Sequence, residues 1–201
     1  MKIASLICIT ALAGLAPFLG TPALASTNSA RQTATSPTAT HRSAITRPVS
    51  DTVFAKKAAE ANMDEVKLGQ LAEQNSANQD VKNFGKRMVE DHTAANDELK
   101  TVAEQDKITL PTEINKHDQM VYDNLAKLHG AAFDRAYARD MVRDHQHDVA
   151  EFKMEAKDGT NQDIKNFAAK TAPTLEDHLK LAREMVQSVN GTSGGSSAKS
   201  Y

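Results

Sequence analysis

The chain has one cysteine, Cys8, and it lies inside an apolar leader. A mature chain without that leader has no disulfide and no thiolate to offer a metal or a substrate. Tryptophan is absent and aromatic residues make up only 4% of the chain, so there is no set of rings on which bases could stack. Lys and Arg number 24 against 26 Asp and Glu and are interspersed with them. That leaves no basic stripe for nucleic acid and no strongly basic amphipathic face for a membrane surface. No segment alternates convincingly as a strand. A Gly-rich phosphate loop, a Ser-His-Asp order around a nucleophile elbow and a Cys–His pair are all missing, so the reading leans away from an enzyme.

A positive start at Lys2, an apolar run from Ile3 to about Leu19 and Ala23-Leu24-Ala25 form the three parts of a secretory leader. We expect a signal peptide over residues 1–25, cleaved near Ala25, and a periplasmic or secreted protein. Pro17, Gly20 and Pro22 close the run and argue against a spanning helix. Residues 26–50 are rich in Ser, Thr, Ala and Pro and cannot bury enough surface to offset chain entropy, so they read as a disordered linker. Residues 190–201, rich in Gly and Ser, read as a disordered tail. Residues 51–189 between them have the size of one domain.

Within that domain apolar residues recur at helical spacing. A first helix is expected over 51–75 and a second over 79–105, with Asn78 as N-cap. A short helix is expected over 112–128, a third long helix over 131–157 with Gly159 as its C-terminal cap, and a fourth over 162–189 with Asn161 as N-cap. The sequence also repeats itself. Asn78-Gln79-Asp80-Val81-Lys82-Asn83-Phe84 returns as Asn161-Gln162-Asp163-Ile164-Lys165-Asn166-Phe167. Glu90-Asp91-His92 returns as Glu176-Asp177-His178, three residues later than the first match requires, and Pro173 falls in that gap, where a bend is expected. Two hairpins joined by a longer connection predict an all-α four-helix bundle with one crossover and an extra short helix in it.

Three histidines occupy positions on apolar stripes. His92, His145 and His178 each follow an aspartate, and each belongs to a different long helix. A buried imidazole must be hydrogen-bonded or metal-bound if it is not to destabilise the fold. Glu65, on the stripe of the first helix, is the matching carboxylate. His41 falls in the linker, while His117, His129 and His147 read as solvated. The methionines at stripe positions read as core packing.

Glu65, the strings ending in His92 and His145, the segment Phe133-Asp134-Arg135-Ala136-Tyr137 and the stretch from Pro173 to His178 together resemble the secreted bacterial family of domain of unknown function 4142. The resemblance covers nearly the whole domain. It implies a ferritin-like bundle and an extracytoplasmic location, with no established activity; some members carry an outer-membrane label, although nothing here reads as a barrel.

Ferritin-like di-iron sites use Glu-x-x-His on two helices and a lone Glu on the other two. Three residues after Glu90 stands Thr93, and after Glu176 stands Leu179, so a conventional di-iron centre is disfavoured. Two readings stay open. In the first, the protein is a non-enzymatic envelope component, stress-related by family association, whose His rings and Glu65 form a buried polar layer that fixes helix register. In the second, Glu65, His92, His145 and His178 hold a transition metal such as Zn, Fe or Cu, with Asp91, Asp144, Asp177 and Tyr137 behind them. Counting residues from the interhelical turns offsets each pair along the bundle by roughly 7 Å. Ring nitrogens more than about 8 Å apart could not share one ion. Protein partners and a homo-oligomeric state are left open.

Overall fold

The computed structural model describes residues 50–191. The expected leader, the linker up to residue 49 and the tail from residue 192 lie outside the described residues. The described chain is all-helical. Helices α1 (Asp51–Asn75), α2 (Gln79–Gln105), α4 (Gly130–Asp158) and α5 (Gln162–Gly191) are long, and α3 (Lys116–Leu125) lies in the crossover between α2 and α4. Among the described residues, no helix is long and apolar enough to cross a membrane.

The helices start where side chains can cap them. Asn78 accepts from the backbone N–H of Asp80 at 2.8 Å, and Asn161 accepts from those of Asp163 and Ile164 at 2.9 and 3.0 Å. One turn on, the Gln79 amide donates to Asn83 at 3.0 Å, and that of Gln162 to Asn166 at 2.8 Å. The sequence repeat is therefore a repeat of structure: the same cap and the same i, i+4 bond open α2 and α5, with Val81 and Phe84, or Ile164 and Phe167, buried beneath them.

The short helix starts at Lys116, four residues later than expected. Asn115 accepts from the N–H groups of His117 and Asp118 and so sets the first turn there. Gly130 opens α4 with a φ of +57°, a left-handed conformation that favours glycine. Gly159 does end α4, but in extended conformation rather than as a left-handed cap. Helix α5 continues through Pro173, which sits on its exposed side.

α1 pairs with α2 and α4 with α5, and the hairpins meet along α2–α5 and α1–α4. Asn75, at the end of α1, donates to the carbonyl of Leu128 just before α4, while Asp51, at the start of α1, accepts from Thr160 and Asn161 in the α4–α5 turn. Every neighbouring pair is thus antiparallel, and the crossover carrying α3 spans the bundle from end to end, the ferritin-like arrangement. Gly69 and Gly85 let α1 and α2 touch backbone to backbone. A Cβ at Gly69 would lie 2.5 Å from the Gly85 carbonyl oxygen, and one at Gly85 2.7 Å from that of Gly69, so alanine at either position would force the pair apart.

The interior is two apolar cores. One contains Leu68, Phe84, Met88, Phe133, Tyr137, Met141 and Met185. The other contains Phe54, Leu99, Phe152, Ile164, Phe167 and Leu175. On α2, α4 and α5, residues of the first core and of the second flank a histidine, so the three histidines form a level between the cores.

Candidate metal centre

His92 from α2, His145 from α4 and His178 from α5 are all buried, the last two completely. Their ring centroids lie 5.2 to 5.7 Å apart in all three pairings. One ring nitrogen from each lies within 4.8 Å of the others, close to the limit of about 4.2 Å for two nitrogens bound to one ion, so a small shift of the rings would let them share it.

Each ring is held from behind. His145 donates from Nδ1 to the carbonyl of Met141, one turn earlier, at 3.0 Å. His92 donates from Nδ1 to Oδ1 of Asn62 at 3.0 Å. His178 donates from Nε2 to Asp91 at 2.8 Å. Asp91 also accepts from Arg87, and hydrogen bonds from His178 and Arg87 hold its carboxyl below the usual range despite the opposing effect of partial burial. It is therefore ionised, and the proton of that bond belongs to His178. With those three nitrogens carrying hydrogen, neutral rings point their remaining lone pairs, on Nε2 of His92, Nε2 of His145 and Nδ1 of His178, into the cluster.

Neutrality is the favoured state. Burial pushes the pKa of His145 down to about 3, with His178 adding to the effect. Burial, then His145 and His178, hold His92 well below its ordinary value, and burial lowers His178 against the opposing pull of Asp91. Nε2 of His145 and Nδ1 of His178 face each other at 3.3 Å. Two neutral lone pairs at that distance repel unless a proton or a metal ion lies between them. An ion about 2.05 Å from both would subtend an angle of about 107°, close to tetrahedral. Nε2 of His92, buried and without a hydrogen-bond partner among the described residues, is free to complete the set.

The other expected residues fall differently. Glu65 is buried, but its carboxyl approaches Nδ1 of His145 at 3.6 Å, on the outer side of the ring rather than inside the triad. Burial and the acids Asp144, Asp64, Asp148 and Asp140 hold its pKa well above normal. Tyr137 is fully buried, stacked on Phe133 at 5.4 Å, and its hydroxyl has no hydrogen-bond partner among the described residues. Asp144 pairs with Arg143, and Asp177 is exposed on α5, where its charge favours the protonated form of His178. Of the expected supporting acids, Asp91 alone is hydrogen-bonded to a triad ring. His117 and His147 lie in a cleft outside the bundle interior, and His129 is the N-cap position of α4.

Asn62 is the residue that sequence reasoning missed. Measured from Ala77, at the centre of the α1–α2 turn, Asn62 and His92 are equally distant along their helices, so Asn62 rather than Glu65 stands at the level of the ring. A groove of about 250 Å³ between α2 and α5, lined by Asp91, His92, Leu175 and His178, runs up to two of the three rings; His145 lies behind them. Lys170 and Glu98 bridge its two walls at 2.8 Å.

A helical bundle with a buried tri-imidazole level is the class that the fold and the site define. The chain belongs to the DUF4142 family, a domain of unknown function, whose model matches residues 32–185. No functionally curated protein matches it. Among solved structures it is similar to CopM in the Cu(II)-bound form, with 18% identity and a TM-score of 0.60 over 70% of this chain and 97% of that one. CopM also matches in Cu(I)-bound and Ag-bound forms. A DUF305 protein from Streptomyces coelicolor matches with 12% identity and a TM-score of 0.61 over 70% of this chain and 93% of that one. At these identities the likeness is one of fold.

Proposed function

We propose that this protein is a non-enzymatic metal-binding component of the bacterial cell envelope, holding one transition-metal ion on His92, His145 and His178. The observation that carries the reading is the direction of the three lone pairs. Asn62, the Met141 carbonyl and Asp91 take the outer nitrogens, and burial keeps the rings neutral, the form in which imidazole binds metals. Copper is the ion favoured. Imidazole sites bind Cu²⁺ more tightly than the other divalent first-row ions, and copper and silver are held by CopM, a chain of the same fold. The leader expected over residues 1–25 carries the domain out of the cytoplasm, to the periplasm or beyond, and the linker 26–50 and tail 190–201 flank the bundle at 51–189. Binding rather than turnover fits a site in which Asp91, the carboxylate hydrogen-bonded to the triad, is spent on orienting a ring.

A second reading has one observation in its favour. The 3.3 Å separation of His145 Nε2 and His178 Nδ1 also suits a shared proton in a purely structural polar layer. Metal analysis separates the two. Protein purified without a histidine tag, incubated with excess Cu²⁺ and desalted, should retain one copper per chain, and His145→Ala should retain none. Retention of no metal by the wild type, or equal retention by the variant, returns the triad to a structural role.

A further inference from the structure

A buried ion site needs a way in. Along the bundle axis the triad is closed off by the two apolar cores. On α2, Phe84 and Met88 lie to one side of His92 and Leu99 to the other; on α4, Met141 and Phe152 flank His145 in the same way. An ion stripped of its water would have to cross those cores, which is prohibitive. Toward α1 the buried side chains of Asn62 and Glu65 stand against His92 and His145.

The seam between α2 and α5 is different. Its groove has Asp91, His92 and His178 at one end and Glu98 and Lys170 at the other. At 1.5 Å per residue those two levels are roughly 10 Å apart along the bundle. Small side chains line the stretch between them, Ala94 and Ala95 on α2 and Thr171 and Thr174 on α5. The Asp91 side chain is 34% exposed, so its carboxylate is the anion that a cation meets beside the rings. Lys170 reaches across the groove to both carboxylate oxygens of Glu98, at 2.9 and 2.8 Å. With the Lys170 side chain 71% exposed, the pair is weak and yields without unfolding of either helix.

We propose that this groove is the passage by which the metal ion reaches and leaves the triad, with Asp91 as its first anchor and the Lys170–Glu98 pair as a bar across it. The inference rests on the metal reading of the three histidines. It adds residues that bind nothing in the loaded protein and act on the rate alone. Lys170 acts twice, since its ammonium group also repels an incoming cation.

Copper is the probe. Loading is followed in stopped flow as copper leaves a chromophoric indicator, and release as it passes from the loaded protein to an excess of chelator. Ala95→Leu puts a larger side chain in the groove and leaves the ligands untouched. It should slow loading and release together by about tenfold or more, with one copper per chain still held at equilibrium. Lys170→Ala should speed loading by about threefold or more at low salt, and the gain should shrink at high salt. Because Lys170 is exposed, that second reading does not depend on packing. Lys100→Ala removes the same charge from α2 at a residue outside the groove and should load as the wild type does. Wild-type rates in both Ala95→Leu and Lys170→Ala, in chains that hold one copper, would overturn the passage and leave the metal site standing. Equal acceleration by Lys100→Ala would overturn the bar. A wild type that retains no copper would remove the metal reading and the passage with it.

Discussion

Copper at about a hundredfold excess over its dissociation constant should raise the melting temperature of the wild-type domain by about 10 °C. An ion that binds only the folded state stabilises by about 2.7 kcal/mol at that excess. For a domain of this size each kcal/mol moves the midpoint by about 3–4 °C. The ion binds the folded state selectively because its three ligands come from α2, α4 and α5 and converge only when both hairpins are docked. His178→Ala should abolish the shift. The substitution removes a ligand but leaves Asp91 paired with Arg87 and half-exposed, so no charge is stranded in the core. Thermal melts followed by circular dichroism, with and without copper, are the measurement. An equal shift in the variant would place the ion elsewhere.

Acid should act through the same rings. In metal-free protein, lowering the pH from 7 to 5 should cost the wild type about 2 kcal/mol more than it costs His145→Gln. The folded pKa of His145 is depressed from 6.5 to about 3, so below pH 6.5 the unfolded chain takes up a proton that the folded chain refuses. Stability from this group is complete above pH 6.5 and is lost as pH falls toward 3; at pH 5 the loss is about 1.5 pH steps of about 1.4 kcal/mol each. Comparison with the variant is necessary because buried carboxyls work in the opposite sense. Asp64, raised to about 8, and Glu155, raised to about 7, hold protons when folded that the unfolded chain releases, so they favour folding increasingly as pH falls. Urea midpoints in a chelator at both pH values isolate the imidazole contribution. A gap that does not change with pH would mean that His145 is charged in the fold.

The helices were legible because their boundaries rest on local chemistry. Asn78 and Asn161 cap where they stand, and the stripes Phe133-Tyr137-Met141-His145 and Ile164-Phe167-Leu175-His178 are buried as their period requires. The three histidines were legible for the same reason, since each is a polar residue on an apolar stripe. What could not be read was lateral placement. Asn62 and Asp64 lie off the line Phe54-Ala58-Ala61-Glu65, and both are buried because α1 is covered from more than one side. The path of the crossover over Asp64 depends on where α3 docks, which no spacing within α1 encodes. Likewise, the level of Glu65 against His145 rather than His92 depends on how closely Gly69 and Gly85 let the helices pack. The shift of the short helix to Lys116 has a simpler cause: the Asn115 side chain accepts from the N–H groups of His117 and Asp118 and starts the helix there.

Electron paramagnetic resonance of the one-copper form tests the central claim most directly, because nitrogen hyperfine structure identifies the ligands themselves. Three imidazole nitrogens should couple to Cu²⁺ in the wild type, and that three-nitrogen pattern should be lost in His92→Ala, His145→Ala and His178→Ala alike. A copper signal with oxygen ligands only, or a nitrogen pattern that none of the three histidine substitutions alters, would contradict a shared ion at the level where α2, α4 and α5 bring their rings together.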